Sequence, residues 1–453
     1  MGRLIRAVRH AALFAVLALG TLAVGTVHTA DPVFGTPTAS STFGEGVSLT
    51  QPVELDATPF RVEVLVAAGD GAPLVTEVPA PAGTGSVTLR DTFGGDGFLL
   101  PNTPVTATWR ITMAEGDDPV VGPEVSLVYD DDRFTWRTTG DDVVRVHWYE
   151  GSQAFGERAL SIGEEAVNET AALFGVTEDE PIDFFIYADV DSFYDALGPG
   201  TREQVGGQAN ADIRTLFALI RPSEIDDPWV AEVVPHELVH LVFDTAVQNP
   251  YHFPPRWLNE GLATYLSVGY RPSARSTVES AARDGRIIPL DGLGGQFPTT
   301  AEGFGQAYDE SVSAVDFLIR THGQPALLQL VDSYADGRTD DEAFEAAIGQ
   351  DVAAFDAAWL ADVGAEVPVR LGPQPAPPGP QPAAWSGTGG EQPGQPAPAP
   401  SGATGTTAPD PTVPEPATSG SAGIAILVVL GLFVLAGVVL VAARRRGGPV
   451  ATP

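Results

Sequence analysis

The 453-residue sequence has no cysteine, no lysine and only two methionines. Without Cys there is no disulfide framework, no thiol nucleophile and no Cys-ligated zinc or iron–sulfur centre. Without Lys, all 24 basic residues are Arg, set against 59 acidic ones for a formal net charge of -35. So acidic a chain holds no nucleic acid by a general basic surface. Long apolar runs are scarce too: there are two, one at each end, and they bear on location rather than on chemistry.

At the amino end, Arg3, Arg6 and Arg9 precede the uncharged run AALFAVLALGTLAVGTV. That layout predicts a signal peptide over 1–30, with cleavage after Ala30; His28 fits the −3 position poorly, and the alternative is a retained membrane anchor. At the carboxyl end, GIAILVVLGLFVLAGVVLV is followed by Ala442, Ala443 and then Arg444, Arg445 and Arg446. About 20 apolar residues span a bilayer as a helix, and an Arg cluster fixes its side as cytoplasmic. The expectation is one transmembrane helix over 422–443 and a cytoplasmic tail over 444–453. The predicted location is the cell membrane, single-pass, with the N-terminal ectodomain extracellular. Residues 369–421 are rich in Pro, Gly and Ala. They read as a disordered stalk that, at about 3 Å per residue, reaches on the order of 100 Å.

Between the ends the pattern changes once. Over 31–138 short alternating runs such as FRVEVLVA (60–67), GSVTL (85–89) and PVTATWRITM (104–113) are separated by Gly, Pro and Asp. These predict a β-sandwich-like accessory domain with no catalytic constellation. Over 139–368 a strand at 143–148, helical spacing over 154–173 and a strand at 182–187 precede a helix-dominated stretch after 228. That predicts an α+β domain. The fold class read from the sequence is therefore multidomain: a β-sandwich-like domain, an α+β domain, a Pro-rich stalk and one membrane helix.

The chemistry lies in Trp229 to Tyr265. His236-Glu237-Leu238-Val239-His240 is H-E-x-x-H. On a helix, positions i and i+4 share a face, so His236 and His240 can point two imidazoles at one metal. Glu237 is offset around the helix, where it reaches a water rather than the ion. Pro235 either starts this helix or kinks it. A hydrolytic zinc site uses three protein ligands and keeps one position open. The third candidate is Glu260 in Pro254-Pro255-Arg256-Trp257-Leu258-Asn259-Glu260-Gly261, where the Pro pair marks a second helix start. Gly261 and Ala263 are small enough to bring that helix close to the first.

H-E-x-x-H with a downstream N-E-G helix resembles the gluzincin metallopeptidases. The segment WLNEGLATY is similar to the matching helix of aminopeptidase N-type enzymes, while the ligand spacing is nearer that of thermolysin-type enzymes. Together with PRWLNEG and the later A-Y-x-E-S, the chain most resembles the bacterial peptidase MA-like family. The resemblance implies a gluzincin-type domain in which His236, His240 and Glu260 bind Zn2+ and Glu237 is the general base. It also places a Tyr near Tyr308 as an oxyanion donor, although Tyr308 shares a helical face with Val312 and Val315 and reads equally as core. Aminopeptidase N-type enzymes carry G-A-M-E-N upstream, whose Glu holds the substrate amino terminus. Here the comparable place is Gly206-Gly207-Gln208-Ala209-Asn210, with no acid, which favours internal cleavage over amino-terminal trimming.

Other residues carry weaker readings. Ile213 to Ile220 is either the strand at the cleft edge, where a peptide would pair, or a core strand. His252 either lines the cleft or is an ordinary histidine, and His147 reads as ordinary. Asp244 can orient a ligand or simply face solvent. The run Asp130-Asp131-Asp132 is a calcium site or a solvated turn. The expected function is a membrane-anchored extracytoplasmic zinc metallopeptidase acting on peptide or protein substrates, with no nucleic-acid partner. The alternative is a non-catalytic surface interaction protein on a metal-stabilised scaffold of the same fold.

Overall fold

The computed structural model describes residues 30–367 except 70, 95–98, 141–142, 200–205 and 250–251. The expected signal peptide, stalk, membrane helix and cytoplasmic tail lie outside the described residues. Among the described residues no helix is long and apolar enough to cross a membrane. The chain divides into two compact units, Met1–Arg133 and Phe134–Pro453.

In the first unit, alternation does the work. Its strands are β1 (Val33–Phe34), β2 (Thr38–Thr42), β3 (Gly46–Leu55), β4 (Arg61–Ala68), β5 (Leu74–Val78), β6 (Gly85–Phe93), β7 (Thr103–Thr112) and β8 (Val120–Tyr129). Along β7, Val105, Ala107, Trp109 and Ile111 are buried while the residues between them are not. That is the period of a strand with one face on a core. One sheet runs β1-β3-β2 with β6 also on β3, and the other runs β5-β4-β7-β8, all antiparallel. Val47, Leu49 and Val53 of the first share a core with Val62, Val64 and Trp109 of the second. This is a β-sandwich. The acidic run is spent inside it: Arg133 Nε and Nη2 each lie 2.8 Å from one oxygen of Asp131, and Asp132 accepts from the Phe43 N–H.

The second unit holds β9 (Arg137–Thr139), β10 (Val144–Trp148), α1 (Gln153–Phe174), β11 (Ile182–Tyr187), α2 (Val190–Leu197), β12 (Gly207–Asn210), β13 (Thr215–Leu219) and α3 (Val230–Val247). It continues with α4 (Arg256–Val268), α5 (Pro272–Arg283), α6 (Ala301–His322), α7 (Gln324–Ala335), α8 (Asp340–Ile348) and α9 (Val352–Asp362). Its sheet order is β12-β13-β11-β10-β9. The three central strands are parallel, and β12 and β9 run antiparallel at the two edges. β11 is buried at all six positions, as a central strand covered on both faces must be. Val144, Val146 and Trp148 of β10 pack in one core with Phe155, Ala159 and Ile162 of α1 and with Val234, Leu238 and Leu241 of α3.

Two local expectations are corrected here. The run Ile213 to Ile220 is not the cleft-edge strand: β13 is paired on both sides, with β11 and β12. Its unbroken apolar character is that of an interior strand, and the edge is the polar β12. Gly261 does not serve the approach of α4 to α3. A Cβ there would stand 2.6 Å from the Ser311 carbonyl oxygen and 2.8 Å from Val315 Cγ2, so the missing side chain lets α4 lie against α6.

Candidate active site

Helix α3 starts at Val230, one turn before Pro235, which it contains. Pro235 lacks an N–H, but this early in the helix few internal hydrogen bonds are forfeited. The next residues set His236 and His240 on one face. Helix α4 starts immediately after the Pro pair, and its first N–H groups find outside acceptors: Arg256 N–H bonds Gly294 O at 3.0 Å and Trp257 N–H bonds Leu293 O at 3.1 Å. This tie orients α4 so that Glu260 meets the two imidazoles.

His236 Nε2 and His240 Nε2 are 3.2 Å apart, and each lies 3.5 Å from Glu260 Oε2. Possible ligand atoms of all three lie within 4.8 Å of one another. His236 and Glu260 are buried, at 6% and 8% exposure, and His240 is half-buried. His240 Nδ1 lies 2.8 Å from Asn259 Oδ1. An amide oxygen only accepts, so Nδ1 carries a proton, and Nε2 is the nitrogen that faces the cluster. Glu260 Oε1 accepts from Arg256 Nε and Nη2, both at 3.2 Å. Glu260 Oε2 is buried and has no hydrogen-bond partner.

A buried carboxylate oxygen without a partner, beside two imidazole nitrogens, calls for a cation. Burial works against ionisation of Glu260, but the two imidazoles beside it, His236 and then His240, outweigh it and hold the carboxyl well below its usual range. Burial likewise pulls His240 down, while Glu260, Glu237 and Asn259 push it up to about 9. Two nitrogens and one oxygen from two helices, with a cavity beyond, fit a zinc site of the catalytic kind, which keeps a position open.

The cavity measures about 570 Å³, and all three of these residues line it. Glu237 lines it as well, and its Oε2 accepts from the Ala209 N–H of β12 at 3.0 Å. The approach is close: a Cβ on Gly207 would stand 3.1 Å from Glu237 Cγ. Tyr308 is on the cavity wall, half-buried, its ring 6.1 Å from that of His236 and set edge-on to Phe297 and Phe304. Burial first, then the charges of Glu260 and Glu237, hold its phenol well above the ordinary value. It therefore keeps its proton at neutral pH and can donate.

The remaining sequence candidates separate. Asp244 lines the cavity, but the group found on His240 Nδ1 is Asn259. His252 does not line it: its Nε2 bonds Asp340 Oδ1 at 2.8 Å, an oxygen that also accepts from Tyr334. His147 sits on the sheet between Thr138 and Asp183. Sequence reasoning missed Asn259, Arg256 and the Ala209 N–H. Only Arg256 carried a readable signal, four residues before Glu260 on the same helix.

Residues 162–365 match the family model described as Peptidase MA superfamily. No curated protein matches the sequence at a significant level. Among solved structures, the chain is similar to an aminopeptidase N family protein from Idiomarina loihiensis, at 8% identity over 70% of this chain and 73% of that one, with a TM-score of 0.36. It is also similar to an M1 zinc metallopeptidase from Deinococcus radiodurans, at 15% identity over 77% and 95% and a TM-score of 0.34. A structure of a variant of that metallopeptidase bound to a Tyr-Ser-Ala substrate gives 16% identity over 75% and 94%, with a TM-score of 0.35. Superpositions this loose carry no residue roles across.

Proposed function

We propose that residues 162–365, which match the Peptidase MA superfamily model, form a zinc metallopeptidase domain whose side chains divide the work as follows. His236, His240 and Glu260 hold the zinc, and Glu237 is the general base. The observation that carries this reading is Glu260 Oε2, buried without a partner 3.5 Å from two imidazole nitrogens.

When bound, zinc supplies Lewis acidity towards the attacking water and the scissile carbonyl. Glu237 takes the proton of that water and passes it to the leaving amine. The Ala209 N–H holds Oε2 of Glu237, which leaves Oε1 for the proton. Tyr308, kept protonated, donates to the developing oxyanion. Among the described residues β12 is an edge strand, and it borders the same cavity, so an extended peptide adds there by main-chain hydrogen bonds. No acid stands on Gly207–Asn210 to hold a substrate amino terminus, which supports internal cleavage.

Replacing Glu237 with Gln tests this division. The variant should fold, retain one zinc and lose at least about a hundredfold in kcat on a peptide substrate, with little change in KM. Wild-type turnover with zinc bound would show that Glu237 is not the base, and loss of zinc would show that it is a ligand.

The ends of the sequence support a membrane-anchored enzyme with its domain outside the cell. External protease on intact cells should release the ectodomain and leave residues 444–453 protected. A soluble full-length protein would contradict the anchor.

A further inference from the structure

We infer that Arg256 is a positioning residue that makes Glu260 a one-oxygen ligand, taking Oε1 for itself and leaving Oε2 for the metal. The inference rests on the reading of His236, His240 and Glu260 as a zinc site. Arg256 occupies the first position of α4, and its guanidinium reaches forward one turn to Glu260. An Arg fork usually meets a carboxylate with two nitrogens on two oxygens. Here Nε and Nη2 both lie 3.2 Å from Oε1, while Oε2 takes neither nitrogen of the fork and lies 3.5 Å from Nε2 of both His236 and His240.

Two features keep the fork in place. The guanidinium lies over the Phe297 ring, 4.6 Å from its centroid, and Phe297 is itself buried. The backbone is tied to the same segment through the Arg256 N–H on Gly294 and the Trp257 N–H on Leu293. Residues 293–297 thus fix both ends of the arginine, so little side-chain freedom is left to lose on metal binding.

The consequence is chemical. A carboxylate free to turn can close on a metal through both oxygens and fill a position that a hydrolytic site must leave open. With Oε1 saturated by two N–H donors, Glu260 has one oxygen to offer. The arginine charge also offsets a buried carboxylate before the metal arrives. The Arg256 side chain is one-third exposed, so the ion pair contributes little to stability, and its effect is on how Glu260 is presented.

Arg256→Met keeps a stem on Phe297 and removes the fork, whereas Arg256→Lys keeps the charge and loses the fork. In both, zinc affinity measured by chelator competition should fall about 10- to 100-fold. X-ray absorption at the zinc edge should show one carboxylate oxygen in the wild type and two in the variants. The kcat should fall more than KM changes. Wild-type affinity and an unchanged coordination shell in both variants would overturn the inference while leaving the zinc reading intact. A wild-type protein that takes up no zinc would overturn the reading beneath it. If the Arg256 variants do not fold, Phe297→Leu removes only the ring under the guanidinium and should weaken zinc in the same direction. Unchanged affinity there would count equally against the inference.

Discussion

Asp131 in the β-sandwich and Glu260 in the peptidase domain are both buried carboxylates met by an arginine, at 1% and 8% exposure. In the sandwich, Arg133 places one nitrogen on each oxygen of Asp131, at 2.8 Å both times. In the peptidase domain, Arg256 places two nitrogens on the same oxygen of Glu260 and leaves the other bare beside two imidazoles. The first geometry closes an ion pair on itself and needs nothing further. The second is half of a site. Burial of an acid therefore does not mark function; the direction of its unused lone pairs does. Glu178 shows the limit of the criterion. Its Oε1 is also without a partner, but its Oε2 is paired with Arg214 at 2.6 Å, and among the described residues Glu178 joins no cluster that could hold a metal.

The comparison breaks if Asp131 behaves as anything but structure. Arg133→Met strands a buried charge and should cost the sandwich about 3 kcal/mol. Hydrogen-exchange protection over residues 46–129 should fall accordingly, while zinc affinity stays at the wild-type level. An effect on zinc would mean that the two carboxylates do not differ as described.

A third buried acid sharpens the contrast with a smaller, pH-dependent effect. Glu310 on α6 is fully buried, and no arginine fork meets it. It accepts from Gln306 Nε2 at 2.7 Å and from the Ile288 N–H at 3.2 Å. Burial pushes its carboxyl up to about 8 against those two hydrogen bonds. Its value is thus raised above that of the unfolded chain, near 4.5, so the folded state holds the proton more tightly. Stability from this group is present below about pH 4.5 and is lost as the pH rises through about 8, a change on the order of a few kcal/mol. Its neighbour Asp309, raised to about 6 by burial, adds a loss of the same sign. Thermal melts between pH 5 and pH 9 should fall less steeply in Glu310→Gln than in the wild type. Identical slopes would mean that Glu310 is ionised throughout.

Much of the scaffold was readable because its periods are regular. Helical spacing predicts 154–173, and α1 spans Gln153–Phe174; the strand read at 182–187 is β11. The clustering of His236, His240 and Glu260 was readable because H-E-x-x-H fixes two side chains on one helix face and N-E-G offers a third on the next. What escaped depends on which neighbour a residue meets. β12 has the sequence GQAN, without apolar character, and is a strand only because β13 pairs with it. The more apolar TLFAL looked like the better cleft strand and is interior instead. Gly261 signals a close approach, but nothing in its spacing says that α6 rather than α3 is what approaches. Asn259 lies beside Glu260 in sequence, yet its role exists only because α4 brings it to His240 Nδ1.

The central claim is that the bare oxygen of Glu260 is a metal ligand. Zinc titration of the wild type, Glu260→Ala and Asp131→Ala under one chelator competition tests it most directly. The account predicts one tight zinc in the wild type and in Asp131→Ala, with affinity at least about a hundredfold weaker in Glu260→Ala. Stoichiometric zinc held by Glu260→Ala at wild-type affinity would contradict it.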